Sequence, residues 1–440
     1  MTRMIVPSSH GRDNNYHEST SGSRPTPILN SRVNVEHRDT EQKRGANQRV
    51  PSEPEQESDV ETFGRLDPSA SNGFASRKVG ISSRTHGEKL NIVMFTPSFH
   101  PSLGGVERHV KRVAEELVRL GHEVVIITRS PDDTQPREET LDGIQVFRMQ
   151  SNRRTRIWKW IWAHRALILN ADVVHCHDFT SYYHWYLPFR LIYFWKPVFL
   201  TFHGFEKYPP EARSIRKRKI CEHTSSGHIC IGEYIKKWYG TECEIVLWGA
   251  VDSPNHEDGL QDQKEDAVVF VGRLEKDTSV LGFFQGLNLF GERTGKRVRV
   301  YVCGSGSLLE SLEKSGCVRN HNVTFLGKVD DALPYFSRCK YAFVSGYLAI
   351  LEAMASKAIV FSLYDNPLKK ECLSTMPHQE EVMVLCSSPE DLAEKFQQVR
   401  EDSELQKRIT SRAVQLTSEM TWERIAREYL RLYARKIHDR

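Results

Sequence analysis

From Lys89 onward one pattern repeats: a short apolar run, a loop rich in Gly, Pro or small polar residues, then apolar positions at helical spacing. Lys89–Phe95 is the first such run, and Thr96–Gly105 is the loop. Val106, Val110, Val113, Ala114, Leu117 and Val118 then recur at i, i+4, i+7, i+8, i+11 and i+12, which is one apolar stripe of a helix. Gly121 stands where a helix ends in a left-handed residue, and Glu123–Thr128 is the next strand. Strand, loop, helix, turn and strand form a βαβ unit, and such units need a parallel sheet with helices on its faces.

The alternation continues through Ala171–His177, Val198–His203 and His228–Ile231. A polar segment from Asp252 to Asp266 then breaks it and reads as a hinge. A second series follows in Ala267–Val271, Arg297–Cys303, Val323–Leu326, Tyr341–Val344 and Ala358–Ser362. The last segment, from Thr421, carries Trp422, Ile425, Ala426, Tyr429, Leu430 and Tyr433 on one stripe. The pattern predicts an α/β protein of two doubly wound, Rossmann-like domains, 89–251 and 252–420, with a helix over 421–440 crossing back to the first. Ligands of such sheets bind at the carboxyl ends of the strands, here in the cleft between the domains.

Residues 1–88 do not share this pattern. They hold 12 Lys+Arg and 12 Asp+Glu, no Cys, no Trp and three aromatic residues, so the net charge of +4 lies entirely downstream. Too little apolar surface is available there to offset the entropy of ordering, and the segment reads as a disordered extension. No uncharged run is long enough to span a bilayer, since the nearest, Trp185–Phe202, contains Arg190, Lys196 and two prolines. Without an apolar N-terminal segment a secretory signal is not expected. Nine Cys without metal-ligand spacing read as free thiols of a reducing compartment, the cytoplasm.

Several loops carry chemistry. Gly104-Gly105 ends a loop and opens a helix, where bare amides and the helix dipole favour an anion, although a flexible turn would look the same. Arg273 follows the first strand of the second domain and suits phosphate oxygens, or else pairs with Glu275 or Asp277. Cys303-Gly304-Ser305-Gly306 lacks the third glycine of a dinucleotide fingerprint but suits a tight turn beside a nucleotide. Ser345-Gly346 turns a strand into a helix whose start (Tyr347, Leu348, Ala349) offers free amides, and Glu352 follows among apolar neighbours, a carboxylate that can accept both hydroxyls of a ribose or else an ordinary helix-surface acid. His175, His177 and His203 end two strands, with Asp178 and Glu206 just beyond. The H-x-H pair is read as presenting its rings to opposite faces, one to the cleft and the other to the core or a helix, which argues against a metal site.

This set resembles the family 4 glycosyltransferases of the GT-B fold over about Lys89 to Lys436. The resemblance rests on Gly104-Gly105-Val106-Glu107-Arg108-His109, Asp172–His177, Gly272-Arg273-Leu274, Gly304-Ser305-Gly306 and Glu352-Ala353-Met354-Ala355 in this order. It implies a retaining enzyme that uses a UDP- or GDP-linked sugar as co-substrate, without metal or other cofactor. It further implies catalytic positions for His177, Arg273 and Glu206. Gly104, Gly105, His203, Lys276, Gly304, Lys328, Val329, Tyr347, Leu348, Ala349 and Glu352 would surround the donor. Glu352 would hold the ribose, while Gly304, Lys328 and Val329 would lie near the base. Two positions depart from the family: Val344 replaces the glutamate eight residues before Glu352, and Thr278 replaces the lysine five after Arg273, with Lys276 close by. A non-catalytic nucleotide- or glycan-binding protein of the same fold is the competing expectation.

Between residues 150 and 240 there are 15 Lys+Arg against 6 Asp+Glu, interleaved with Trp158, Trp160, Trp162 and Trp185. Such a segment suits an anionic membrane surface or stacking on sugar rings. It equally describes a helix with a Trp-rich core face and a solvated basic face. The expected acceptor is a glycan or lipid-linked glycan, with peripheral membrane contact as one reading and no role for nucleic acid.

Overall fold

The apolar runs become the central strands of two sheets. The structure is a computed structural model. It describes residues 89–102, 104–130, 134–204, 207–252 and 264–438. The expected disordered extension, residues 1–88, lies outside the described residues, as does most of the expected hinge. All described residues belong to one compact unit within 80–440.

The first lobe holds β1 (Asn91–Phe95), β2 (Glu123–Arg129), β3 (Glu138–Leu141), β4 (Ile144–Met149), β5 (Val173–His177), β6 (Val198–Phe202), β7 (Gly227–Ile231) and β8 (Ile245–Leu247). Their order is β3-β4-β2-β1-β5-β6-β7-β8. All pairs are parallel except β3 with β4. The second lobe holds β9 (Glu265–Val271), β10 (Arg299–Cys303), β11 (Asn322–Gly327), β12 (Cys339–Phe343), β13 (Ile359–Leu363) and β14 (Met383–Cys386), all parallel, in the order β11-β10-β9-β12-β13-β14. Every residue of β5, β6 and β13 is buried, as expected of strands covered on both faces.

Helices complete the layers. One face of the first sheet is covered by α1 (Gly105–Arg119), whose Val110, Val113, Ala114 and Leu117 are buried. The other carries α2 (Arg154–Ala163), α3 (Arg165–Asn170), a π-helical turn over Tyr182–Tyr186, α4 (Leu187–Ile192) and α5 (Ala212–Thr224). In the second lobe α6 (Val280–Thr294) packs its Phe283, Phe284 and Leu287 into the core. There α7 (Tyr347–Ala355) and α8 (Pro367–Ser374) send Tyr347, Leu368 and Cys372 against the core of the first lobe. Finally α9 (Trp422–His438) lies on α1, with Trp422, Tyr429 and Tyr433 in the core of the first lobe. The chain returns to that lobe through a bridge between Val251 and Thr421, where the Val251 amide donates to the Met420 carbonyl at 3.0 Å.

Two features depart from the sequence reading. The hairpin β3–β4 turns on Asp142-Gly143, both at positive φ (52° and 81°), the pairing that a two-residue Asp-Gly turn favours. The core face of α2 is made by Ile157 and Ile161 with the half-buried Trp158 and Trp160 packed against the same core, whereas Trp162 is exposed, so only two of the three tryptophans belong to the expected core face. All nine cysteines are free thiols. Among the described residues no helix is long and apolar enough to cross a membrane.

Candidate functional site

The carboxyl ends of β5 and β6 gather four histidines. His175 and His177 do not take opposite faces as read from the sequence. Residues i and i+2 of a strand share a face, and it is Cys176 that turns the other way. Their rings stack at 4.7 Å, against α1 and α9. His175 Nδ1 lies 2.7 Å from the Tyr433 hydroxyl and its Nε2 lies 2.8 Å from Thr201 Oγ1. Thr201 Oγ1 is 2.9 Å from the Tyr429 hydroxyl, which in turn is 3.1 Å from Nε2 of His109 on α1. His177 Nδ1 meets His203 Nε2 at 3.0 Å, and the His203 ring packs edge-on to His109 at 4.9 Å. Buried His177 Nε2 has no partner among the described residues. Burial pushes all four pKa values down, to about 3 for His109 and for His175 and well below the usual histidine range for His177 and His203. The cluster is therefore neutral at physiological pH. Among the described residues no set of His, Cys, Asp and Glu could hold a metal ion.

On the second lobe the loops after β9 and β10 are packed backbone to backbone. A Cβ on Gly304 would lie 1.9 Å from the Gly272 carbonyl oxygen, and one on Gly306 would lie 2.4 Å from that of Leu274. The Gly272 amide donates to Cys303 O at 3.1 Å and the Leu274 amide to Ser305 O at 2.9 Å. The glycines of the Gly304 turn thus permit this close approach. Arg273 stands exposed at the strand end, with Nη2 2.5 Å from Asp277 Oδ2. Thr278 donates its hydroxyl to Arg273 O and Glu275 O, both at 2.8 Å. The buried Lys369 of α8 donates to Asp277 O at 2.7 Å and Ser279 Oγ at 2.9 Å, and Ser345 Oγ donates to Thr278 O at 3.2 Å. A second cation is thus built into the Arg273 loop, although Thr278 carries none.

The start of α7 closes against the first lobe. Gly346 precedes it without a side-chain cap. The Tyr347 ring packs into the cores of both lobes, its hydroxyl donating to Cys372 O at 2.6 Å. Leu348 packs toward Gly249, and Ala349 lies against the core of the second lobe. Glu352, 7% exposed, accepts from Arg108 Nη1 of α1 at 2.6 Å. Arg108 also lies 3.7 Å from Asp252. Desolvation, opposed by Arg108, lifts the Glu352 pKa to about 7. Val344 is fully buried in the second lobe's core.

The expected site residues therefore fall into groups. His177 joins His203, and the Arg273 loop is held by hydrogen bonds from Lys369 and Ser345. Glu352 meets α1 through Arg108. At the start of α1, a Cβ on Gly104 would touch the Glu107 carboxylate at 2.2 Å, while Gly105 is open. Lys276, after the central strand β9, and Lys328, after the edge strand β11, are both exposed, and Val329 is half-buried. Glu206 lies outside the described residues. Sequence reasoning assigned no role to Arg108, His109, Lys369, Tyr429 or Tyr433. Arg108 and His109 stood inside the quoted glycine-containing motif, but Lys369 had no local signal.

Two Rossmann-like lobes with their strand ends turned toward a shared set of residues define a GT-B protein. Residues 103–245 match the model for Glycosyltransferase Family 4 and residues 265–402 that for Glycosyl transferases group 1, together well over half of the chain. The chain belongs to the family 4-like glycosyltransferases, and it is a glycosyltransferase. An uncharacterized glycosyltransferase of Methanocaldococcus jannaschii is 25% identical over 397 residues, covering 78% of this chain and 98% of that one. A Campylobacter jejuni α-1,4-N-acetyl-D-galactosaminyltransferase named for an undecaprenol-linked acceptor is 22% identical over 178 residues, or 39% of this chain and 49% of its own. The crystal structure of Anabaena HepE in complex with UDP superposes with a TM-score of 0.57 at 15% identity, covering 78% of this chain and 99% of that one.

Proposed function

We propose that the chain transfers a sugar from a UDP- or GDP-linked donor to a hydroxyl of a glycan or lipid-linked glycan, with retention of anomeric configuration and without a metal. The observation that carries this reading is the buried Glu352 carboxylate of α7, whose partner Arg108 on α1 adjoins His109 of the histidine cluster, while Ser345, just before the same helix, donates to the Arg273 loop. Glu352 holds the ribose hydroxyls, exchanging its Arg108 partner for them. Arg273, with the Lys369 cation behind its loop and the free amides of Tyr347, Leu348 and Ala349, stabilises the diphosphate. As the C1–O bond breaks, its electron pair stays on the β-phosphate oxygen. The acceptor oxygen bonds C1 on the same face, and its proton passes to that phosphate oxygen. With its proton on Nδ1, the fully buried His177 donates to His203 Nε2, which leaves the Nδ1 proton of the more exposed His203 to meet a donor-sugar hydroxyl. Gly104, Gly105, Lys276, Gly304, Lys328 and Val329 line the diphosphate and base, and Glu206 is the remaining catalytic position. The relative with an undecaprenol-linked acceptor and the neighbour that holds UDP support the substrate classes.

The test is a panel of UDP- and GDP-sugars, with proton NMR of the new anomeric centre and a parallel arm in EDTA. Turnover of at least one donor, an axial or equatorial linkage matching that donor, and equal rates with EDTA are expected. Nucleotide binding with no turnover of any donor would overturn the donor reading, inversion would overturn the stereochemistry, and loss in EDTA would overturn metal independence.

A further inference from the structure

The outer side of the first lobe carries two features that sugar transfer does not use. Every exposed large hydrophobic side chain among the described residues falls between Trp162 and Ile220. Leu191, Phe194 and Trp195 are 71%, 69% and 52% exposed. They are joined to Leu169 through Lys196, whose ammonium donates to Leu169 O at 2.9 Å, and to α5 through Arg190, which donates to Thr224 O at 2.8 Å. Soluble surfaces seldom concentrate apolar side chains in this way without a partner. On the same side, Arg154, Arg156 and Lys159 of α2 and Arg213, Arg216 and Lys217 of α5 form no direct ion pair with a described carboxylate, although Arg213 and Lys217 act on the Glu211 carboxylate from further away and Lys217 lies 5.6 Å from the Tyr183 ring centroid. Burial, with the positive charges of Arg154, Lys217 and Arg213 adding to it, holds the His184 pKa down to about 4.

We infer that this side of the lobe docks on an anionic lipid bilayer, with Leu191, Phe194 and Trp195 entering the interface and the α2 and α5 cations facing the headgroups. Cations at one edge and exposed Trp, Phe and Leu at the other, on one side of the lobe, match such a surface in both charge and polarity. A nucleic acid would leave the aliphatic side chains in water. The chain directions set the orientation. Both α2 and α5 begin after the carboxyl ends of strands, so their first cations lie toward the cleft edge. The apolar residues of α3, α4 and the Phe194 loop precede β5 and β6, at the opposite edge. The bilayer therefore runs along the side of the lobe, and the cleft opens beside it. The inference rests on the lipid-linked acceptor reading only for its purpose, and vesicle binding is measured apart from donor turnover.

The experiment is co-sedimentation of the full chain with vesicles of phosphatidylcholine alone or mixed with phosphatidylglycerol, at low and high salt. Binding to the anionic vesicles only, weakened by salt, is expected. Arg154→Gln with Arg213→Gln should weaken it about 25-fold, at about fivefold per charge. Leu191→Ser with Phe194→Ser should abolish it, and both double variants should keep donor hydrolysis and thermal midpoint. Protein left in the supernatant, equal binding to neutral vesicles, or variants that bind like the wild type would overturn the inference. So would light scattering that shows a dimer broken by the Leu191 and Phe194 substitutions, because a second copy of the chain would then be the partner.

Discussion

Acidification to pH 5 should destabilise the fold through its buried histidines, and the size follows from the structure. His109 and His175 titrate near 3 in the folded chain and near 6.5 when unfolded. A depressed folded pKa gives stability that is complete above the unfolded value and is lost as pH falls toward the folded one. From pH 7.5 to pH 5 each contributes a loss of about 2 kcal/mol. His177 and His203, pushed down by the same burial, act in the same direction. Glu352 opposes them. Its folded pKa of about 7 lies above the unfolded 4.5, so it gains stability as pH falls through 7, again by about 2 kcal/mol. The net effect is a loss of at least about 2 kcal/mol. Urea unfolding at the two pH values measures it, in wild type and in His175→Asn, where the amide can still meet Tyr433 and Thr201. The variant should lose about 2 kcal/mol of the pH difference, whatever its stability at pH 7.5. An identical pH difference in both proteins would show that His175 is not held neutral by this network.

Further consequences concern the contact between lobes and the glycine turns. Arg108→Ala leaves Glu352 without its cation, but a carboxyl titrating near 7 can take up a proton instead, so about 1 kcal/mol of stability should be lost at pH 7.5, visible as a lowered thermal midpoint, with partial rescue by Arg108→Lys. Gly304→Ala places a methyl against the Gly272 carbonyl and should lower the midpoint by several degrees. Gly346→Ala meets nothing within 4 Å and should leave it nearly unchanged. Nucleotide affinity should fall as pH drops below 7, because protonated Glu352 accepts fewer hydrogen bonds from the ribose; calorimetry at pH 6 and 8 checks the sign.

Strands such as β5, β6 and β13 were legible because burial on both faces writes them as unbroken apolar runs. The β3–β4 hairpin was not read, because its partly exposed strands lack such a run and its one local sign was Asp142-Gly143. Glu352 stood out because a carboxylate between apolar neighbours has few places to go. Its partner Arg108 did not, since that pair forms only when two distant segments meet. Tyr429 and Tyr433 were correctly placed on the apolar stripe of the last helix, but their hydroxyl contacts to His109 and His175 are tertiary. The H-x-H reading failed on strand geometry itself, because alternation gives one face to His175 and His177 together.

The central claim is that this chain is a glycosyltransferase whose donor is held between Arg273 and Glu352. Its most direct test is kcat/KM for the best donor in Arg273→Ala and Glu352→Gln at pH 7.5, with thermal midpoints measured alongside. Each variant should lose at least about 100-fold, comparable to the removal of a major transition-state or positioning contact, while the fold survives. Unchanged kcat/KM in both folded variants would place the chemistry elsewhere.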